Sequence, residues 1–161
     1  TQRMSYPSCA AEVTVDASQL KEGDVAGLCA LQSCYAAVGI TKRQGKYEVL
    51  MLDKREDGSI HVAGEIPVEA QIDLRLEADF HNMKDKARCY YRIGKGDWLP
   101  IGSIHKLYFK LDHFTGCRFG LFCYATEETG GSARFQDFVY HDVGEATIIN
   151  YCCKEKGNVY E

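Results

Sequence analysis

Residues 72–80 read IDLRLEADF. Leu74, Leu76, Ala78 and Phe80 fall on one side of an extended chain, and Asp73, Arg75, Glu77 and Asp79 on the other. Side chains of a strand alternate between faces, so this period of two marks a strand with one apolar and one solvated face. The same period returns in KARCYYRI (86–93), where Ala87, Cys89, Tyr91 and Ile93 alternate with Lys86, Arg88, Tyr90 and Arg92. AAEVTVD, DVAGLCALQ, YAAVGITKR, KYEVLMLDK, SIHVAGEI, CRFGLFCYA and ARFQDFVYH read as further strands. Between them stand turn sequences: KEGD at 21–24, RQGK at 43–46, EDGS at 56–59, GKGD at 94–97 and ETGG at 128–131.

About nine closely spaced strands with no sustained 3.6-residue period predict an all-β fold, a two-sheet antiparallel β-sandwich. One short helical turn is expected near 16–21. The sandwich is assigned to residues 1–141. Residues 142–161 form a C-terminal extension in which EATIINYC (145–152) is expected to add an edge strand.

The 161 residues suffice to bury one core, and 45% hydrophobic with 26% charged residues is globular composition. A net charge of −4, a pI near 5.7 and the lack of a Lys/Arg run exclude a nucleic-acid partner of the phosphate-binding kind. No apolar run approaches the roughly 20 residues of a membrane-spanning helix, so no membrane partner is expected. No signal-peptide pattern opens the sequence, so a secreted parent would carry its signal ahead of Thr1. The eight cysteines form no CxxC pair and lie mostly in apolar strand patterns. They read as reduced core thiols, with one or more disulfides as the alternative, and a structural zinc site is not expected.

Glycoside hydrolysis on a sheet face needs two carboxylates roughly 5–10 Å apart. Glu77 with Asp79, or Asp73 with Glu77, are the candidate pairs, but they share their row with Arg75, and a solvated outer face accounts for them. His113 lies four residues before Cys117. Cys117 opens an apolar strand, however, and nothing in the sequence orients the imidazole, so a buried thiol and an exposed histidine are expected. Aromatic residues carry more information. Tyr35, Tyr90, Trp98, Tyr108, Phe109, Phe114, Phe122 and Tyr124 are numerous, and several sit at strand ends or off the core phase, where flat rings stack on the C–H faces of sugars while polar neighbours bond the hydroxyls.

Four stretches in order resemble one known family: GDVAGLCALQSCYAAVGITKRQGKYEVLML (23–52), EADF (77–80), ARCYYRIGKGDWLPIG (87–102) and LDHFTGCRFGLFCYATEETGGSARFQDF (111–138). The first matches GD-x-AGL-x-x-x-Q. The third matches a tyrosine-to-tryptophan hairpin ending in glycine, and the fourth holds an FTG turn and a closing FDYF-like strand. Together they are similar to the C-terminal β-sandwich of family 43 glycoside hydrolases, the β-xylosidases and arabinofuranosidases.

The resemblance implies a concanavalin A-like jelly roll with no catalytic residue of its own. In that family the catalytic carboxylates belong to a five-bladed propeller, which has no counterpart in this sequence. It implies two roles: a module that binds xylan or arabinoxylan, or a domain that docks on the propeller and completes its pocket. Phe114, with His113 and Thr115 beside it, corresponds to the turn that reaches the substrate pocket, and His113 and Asp112 join it in the expected carbohydrate-binding set. Trp98, Tyr35 and Tyr124 complete the expected carbohydrate-binding set. No cofactor is required; the fold has room for a structural calcium ion, with Asp24 and Asp137 as the residues named for it. The family also places an early strand ahead of the position where Thr1 stands, so this chain is expected to be a fragment or to replace that strand with 145–152. The expected location is extracellular or on a bacterial cell, or cytoplasmic for a parent enzyme that acts on imported oligosaccharides.

Overall fold

A computed structural model describes residues 1–108 and 116–142. The strands are β1 (Gln2–Arg3), β2 (Ser8–Asp16), β3 (Val25–Leu31), β4 (Tyr35–Arg43), β5 (Lys46–Lys54), β6 (Ile60–Val68), β7 (Gln71–Asp79), β8 (Lys86–Arg92), β9 (Leu99–Lys106), β10 (Arg118–Tyr124) and β11 (Arg134–His141). They form a six-stranded antiparallel sheet, β1-β10-β3-β4-β5-β6, facing a five-stranded one, β11-β2-β7-β8-β9. The two-sheet antiparallel sandwich expected from the period of two is the observed fold.

Two strands escaped the sequence pattern. β9 carries Pro100 and Gly102, and its register against β8 shifts between Ala87 and Cys89, so no clean alternation survives. β1 spans only two residues. The helical turn expected near 16–21 is a pair of non-helical turns instead. Leu20 N donates to Ala17 O at 3.0 Å and Asp24 N to Lys21 O at 3.2 Å, one bond per turn, and side-chain acceptors reinforce them: Ser18 N donates to Asp16 Oδ1 at 3.0 Å and Lys21 N to Asp24 Oδ2 at 2.8 Å. The one helical element among the described residues is a 3₁₀ turn, His81–Met83, between β7 and β8. The RQGK turn joins β4 to β5 with Gln44 at φ 50° and Gly45 at φ 72°, the mirror-image turn a two-residue hairpin loop favours.

Val13, Val15, Leu74, Leu76, Cys89 and Ile101 from one sheet meet Leu28, Val38, Ile40, Met51 and Phe119 from the other, all buried. One polar pair spans this interior: His105 Nδ1 of β9 donates to Asp53 Oδ1 of β5 at 2.7 Å. Arg55 Nε reaches the other oxygen of Asp53 at 3.3 Å from outside.

The outer face of β7 departs from expectation. Asp73 and Asp79 are partly exposed, but Arg75 and Glu77 are only 3% exposed. Arg75 sits between Glu12 of β2 and Tyr90 of β8 in the sheet register. Its guanidinium binds Glu12 and also Glu77, the latter at 2.8 Å. Matched charges packed side by side close water out of the row, so the alternation was right and the solvation was not. Burial pushes the Glu77 carboxyl up, against the pull of Arg75.

Candidate functional site: an aromatic groove on the six-stranded sheet

β3, β4 and β5 are buried on both faces over most of their length. Inward residues enter the main core, while Val25, Cys29, Ala37, Leu50 and Leu52 form a second apolar cluster on the outer face, with Tyr35 and Phe122 packed against it. Along β10, Gly120, Phe122 and Tyr124 share this outer side, paired in register with Cys29, Gly27 and Val25. Gly27 pairs with Gly39 on β4, so two positions without side chains lie next to Phe122. A Cβ built on Gly39 would stand 3.2 Å from Phe122 Cζ, and one on Gly27 only 2.1 Å from Val38 O. The glycines let the ring lie close to the sheet. Phe122 and Tyr124 stack with centroids 5.9 Å apart and planes at 26°.

Tyr35, at the start of β4, closes the far side. With Cys29, Leu31, Ala37, Leu52, Phe122 and Tyr124 it lines an apolar hollow of about 210 Å³. A second hollow, of about 450 Å³, shares Leu52 and Tyr124 with the first and so continues it. Its walls add polar side chains, Glu22, Thr41, Arg43, Gln44, Thr126 and Glu127, to the apolar Val25, Leu50 and Val62. One groove therefore runs along the sheet from an aromatic half to a polar half. Burial raises both tyrosine hydroxyls above the ordinary phenol range, which keeps them protonated and able to donate. Burial also pushes the Cys29 thiol up to about 11, so this wall offers no thiolate nucleophile. The arrangement suits reversible binding of a molecule with flat apolar faces and hydroxyl edges.

The groove unites two of the residues singled out in the sequence, Tyr35 and Tyr124. Trp98 lies apart, after β8 in the five-stranded sheet, with the Arg92 guanidinium carbon 4.3 Å from its ring centroid. Arg92 in turn binds Asp73 at 2.8 Å. Phe114, His113 and Asp112 lie outside the described residues, as does the strand expected at 145–152. Asp24 is buried before β3, while Asp137 is exposed on the bulge of β11 in the other sheet, so the two residues named for calcium are not brought together. Among the described residues no three acidic, histidine or cysteine side chains converge on a metal-sized site. The six described cysteines are free thiols, all buried except Cys123. Burial pushes Cys117 up to about 11, in keeping with the buried thiol expected there. The sequence reading passed over Arg43, Gln44 and Glu127, and it named Phe122 among the aromatics without placing it in the binding set. The available signal was that DVAGLCALQ and YAAVGITKR are apolar at successive positions, a pattern that asks for cover on both faces.

Residues 1–141 match the family described as the β-xylosidase C-terminal concanavalin A-like domain. The chain belongs to this family. Among solved structures, the bifunctional GH43-CE protein of Bacteroides eggerthii superposes with a TM-score of 0.84 at 36% identity, over 89% of this chain and 19% of that one. A GH43 glycoside hydrolase engineered to display both endo-xylanase and exo-arabinofuranosidase activity gives 0.79 at 24% identity, over 88% and 30%. A functionally unknown protein from Saccharomyces cerevisiae gives 0.65 at 18% identity, over 86% and 71%, a likeness of fold alone. Comparison with curated protein sequences found no match. The concanavalin A-like domain is the C-terminal, non-catalytic part of these enzymes, and the chain spans under a third of the two GH43 structures.

Proposed function

We propose that this concanavalin A-like domain is an accessory, non-catalytic module that holds a xylan or arabinoxylan chain in the groove of the six-stranded sheet. The observation that carries this reading is the continuity of the Tyr35–Phe122–Tyr124 aromatic half with the polar half at Glu22, Gln44 and Glu127. Pyranose rings stack on the aromatic side chains, and amide, hydroxyl and carboxylate groups bond the hydroxyls. Membership of the β-xylosidase C-terminal domain family supports this choice of ligand class. Isothermal titration calorimetry against xylo-oligosaccharides and arabinoxylan tests it. Binding that is lost in Tyr124→Ala and Phe122→Ala supports the groove, and flat titrations with every polymer remove it.

A second reading, docking on a catalytic propeller, is favoured by one different feature. At the end of the sandwich next to Gly116, an apolar hollow of about 350 Å³ is lined by Met4, Tyr6, Phe80, Met83 and Cys117. Tyr6 and Met83 project beside it, 73% and 89% exposed. Asn82, Met83 and Asp85 hold positive φ angles of 51°, 55° and 44°, a costly backbone that turns Met83 outward. In this reading the hollow faces a catalytic domain. Restored activity on mixing this chain with an isolated family 43 propeller, weakened by Met83→Asp, supports docking.

A further inference from the structure

We infer that the groove selects neutral saccharides against uronate-bearing ones, through two carboxylates at its polar end, Glu22 and Glu127. The inference rests on the saccharide-binding reading of the same groove. Glu22 Oε1 accepts a hydrogen bond from Gly45 N at 2.9 Å, which holds its carboxylate at the turn between β4 and β5. Glu127 follows β10, where Thr126 Oγ1 donates to Gly23 O at 2.8 Å and fastens that segment to the groove wall. Among the described residues lining the two hollows, Arg43 is the one basic side chain. Its Nη1 lies 2.5 Å from Glu65 and 3.8 Å from Glu48, so two carboxylates already match its charge.

An acidic substituent entering the polar half therefore meets two negative charges and a guanidinium that is already engaged. The net charge of −4 acts in the same direction. A neutral sugar meets the same carboxylates as acceptors for its hydroxyl protons, and hydrogen bonds to ionised groups are the stronger kind. The opposite end differs: Lys54 Nζ stands 5.8 Å from the Tyr35 ring centroid. An acidic branch is tolerated only where it projects toward that lysine, so the discrimination belongs to the polar half.

The test is calorimetry of the whole chain with neutral xylo-oligosaccharides and with the same oligosaccharides carrying one glucuronosyl branch, at low and at moderate ionic strength. Neutral ligands bind independently of salt. The branched acid binds about fivefold more weakly at low salt and recovers as salt screens the repulsion. Glu22→Gln combined with Glu127→Gln narrows that gap to less than about twofold, and weakens neutral binding by loss of the charged acceptors. Equal affinities at low salt, or an acid affinity that falls as salt rises, overturn the selectivity while leaving the groove a saccharide site. No binding of either ligand overturns the groove reading and this inference together.

Discussion

Phe122 lies against Gly39: a single methyl group added to that glycine would stand 3.2 Å from the ring's Cζ and 2.9 Å from Ala26 O. The aromatic half of the groove thus depends on a missing side chain in the neighbouring strands. Gly39→Ala is expected to destabilise the fold by about 1–2 kcal/mol and to displace Phe122. Gly27→Ala, whose Cβ would collide with the Val38 carbonyl, should cost about 3 kcal/mol, or roughly 6–12 °C in Tm. Thermal unfolding measures both, and loss of oligosaccharide binding in a folded Gly39→Ala protein reports the displaced ring. Unchanged melting in Gly27→Ala would contradict the close approach of β3 and β4.

Arg75 holds two carboxylates, Glu12 and Glu77, on the outer face of the five-stranded sheet. Removing it takes the guanidinium from both, leaving Glu12 with His141 at 3.4 Å and Glu77 buried with only the Tyr90 hydrogen bond and more distant charges. Arg75→Met is expected to cost about 3–5 kcal/mol by denaturant unfolding. Glu77→Gln should cost clearly less, because burial already works against the Glu77 charge and Arg75 keeps Glu12. Equal losses in the two variants would show that the pair contributes as a unit.

Asp53 and His105 join the two sheets through a 2.7 Å hydrogen bond in the interior. Asp53→Leu leaves the Nδ1–H of His105 buried without its acceptor, an expected loss of about 1–3 kcal/mol. Adding His105→Phe removes the orphaned donor, and the double variant should return to within about 1 kcal/mol of the parent. A double-mutant cycle with no coupling would mean that the bond adds nothing to stability.

Burial holds the thiols of Cys9, Cys29 and Cys117 at about 11, against 9.0 for a free thiol. A group whose pKa is raised by folding contributes stability that is complete below pH 9 and lost as pH rises through 11. The denaturant midpoint should therefore fall between pH 9 and 11, and fall less steeply in Cys29→Ala than in the parent. Below pH 9, thiol alkylation of the native protein should reach exposed Cys123 before these three. Parallel pH profiles for Cys29→Ala and the parent would speak against a buried, protonated Cys29.

The sequence by itself determined the sandwich. Alternation in IDLRLEADF and KARCYYR places Leu74, Leu76, Cys89 and Tyr91 in the core without reference to any partner strand, because a strand's two faces are fixed by backbone geometry. RQGK likewise fixed the β4–β5 hairpin, since few residues besides glycine accept its backbone. The motif order also determined the family. What alternation does not carry is which strands become neighbours. Trp98 and Tyr35 look equivalent as aromatic residues near strand ends, yet sheet order puts them on different sheets. Tyr124, 89 residues beyond Tyr35 in sequence, lands beside it. The burial of Arg75 and Glu77 has the same origin: Glu12 and Tyr90 flank Arg75, and Ala10 and Arg88 flank Glu77, only through register with β2 and β8. Pairing between distant strands, which depends on the packing of the whole chain, decided where the groove lies and which charges water no longer reaches.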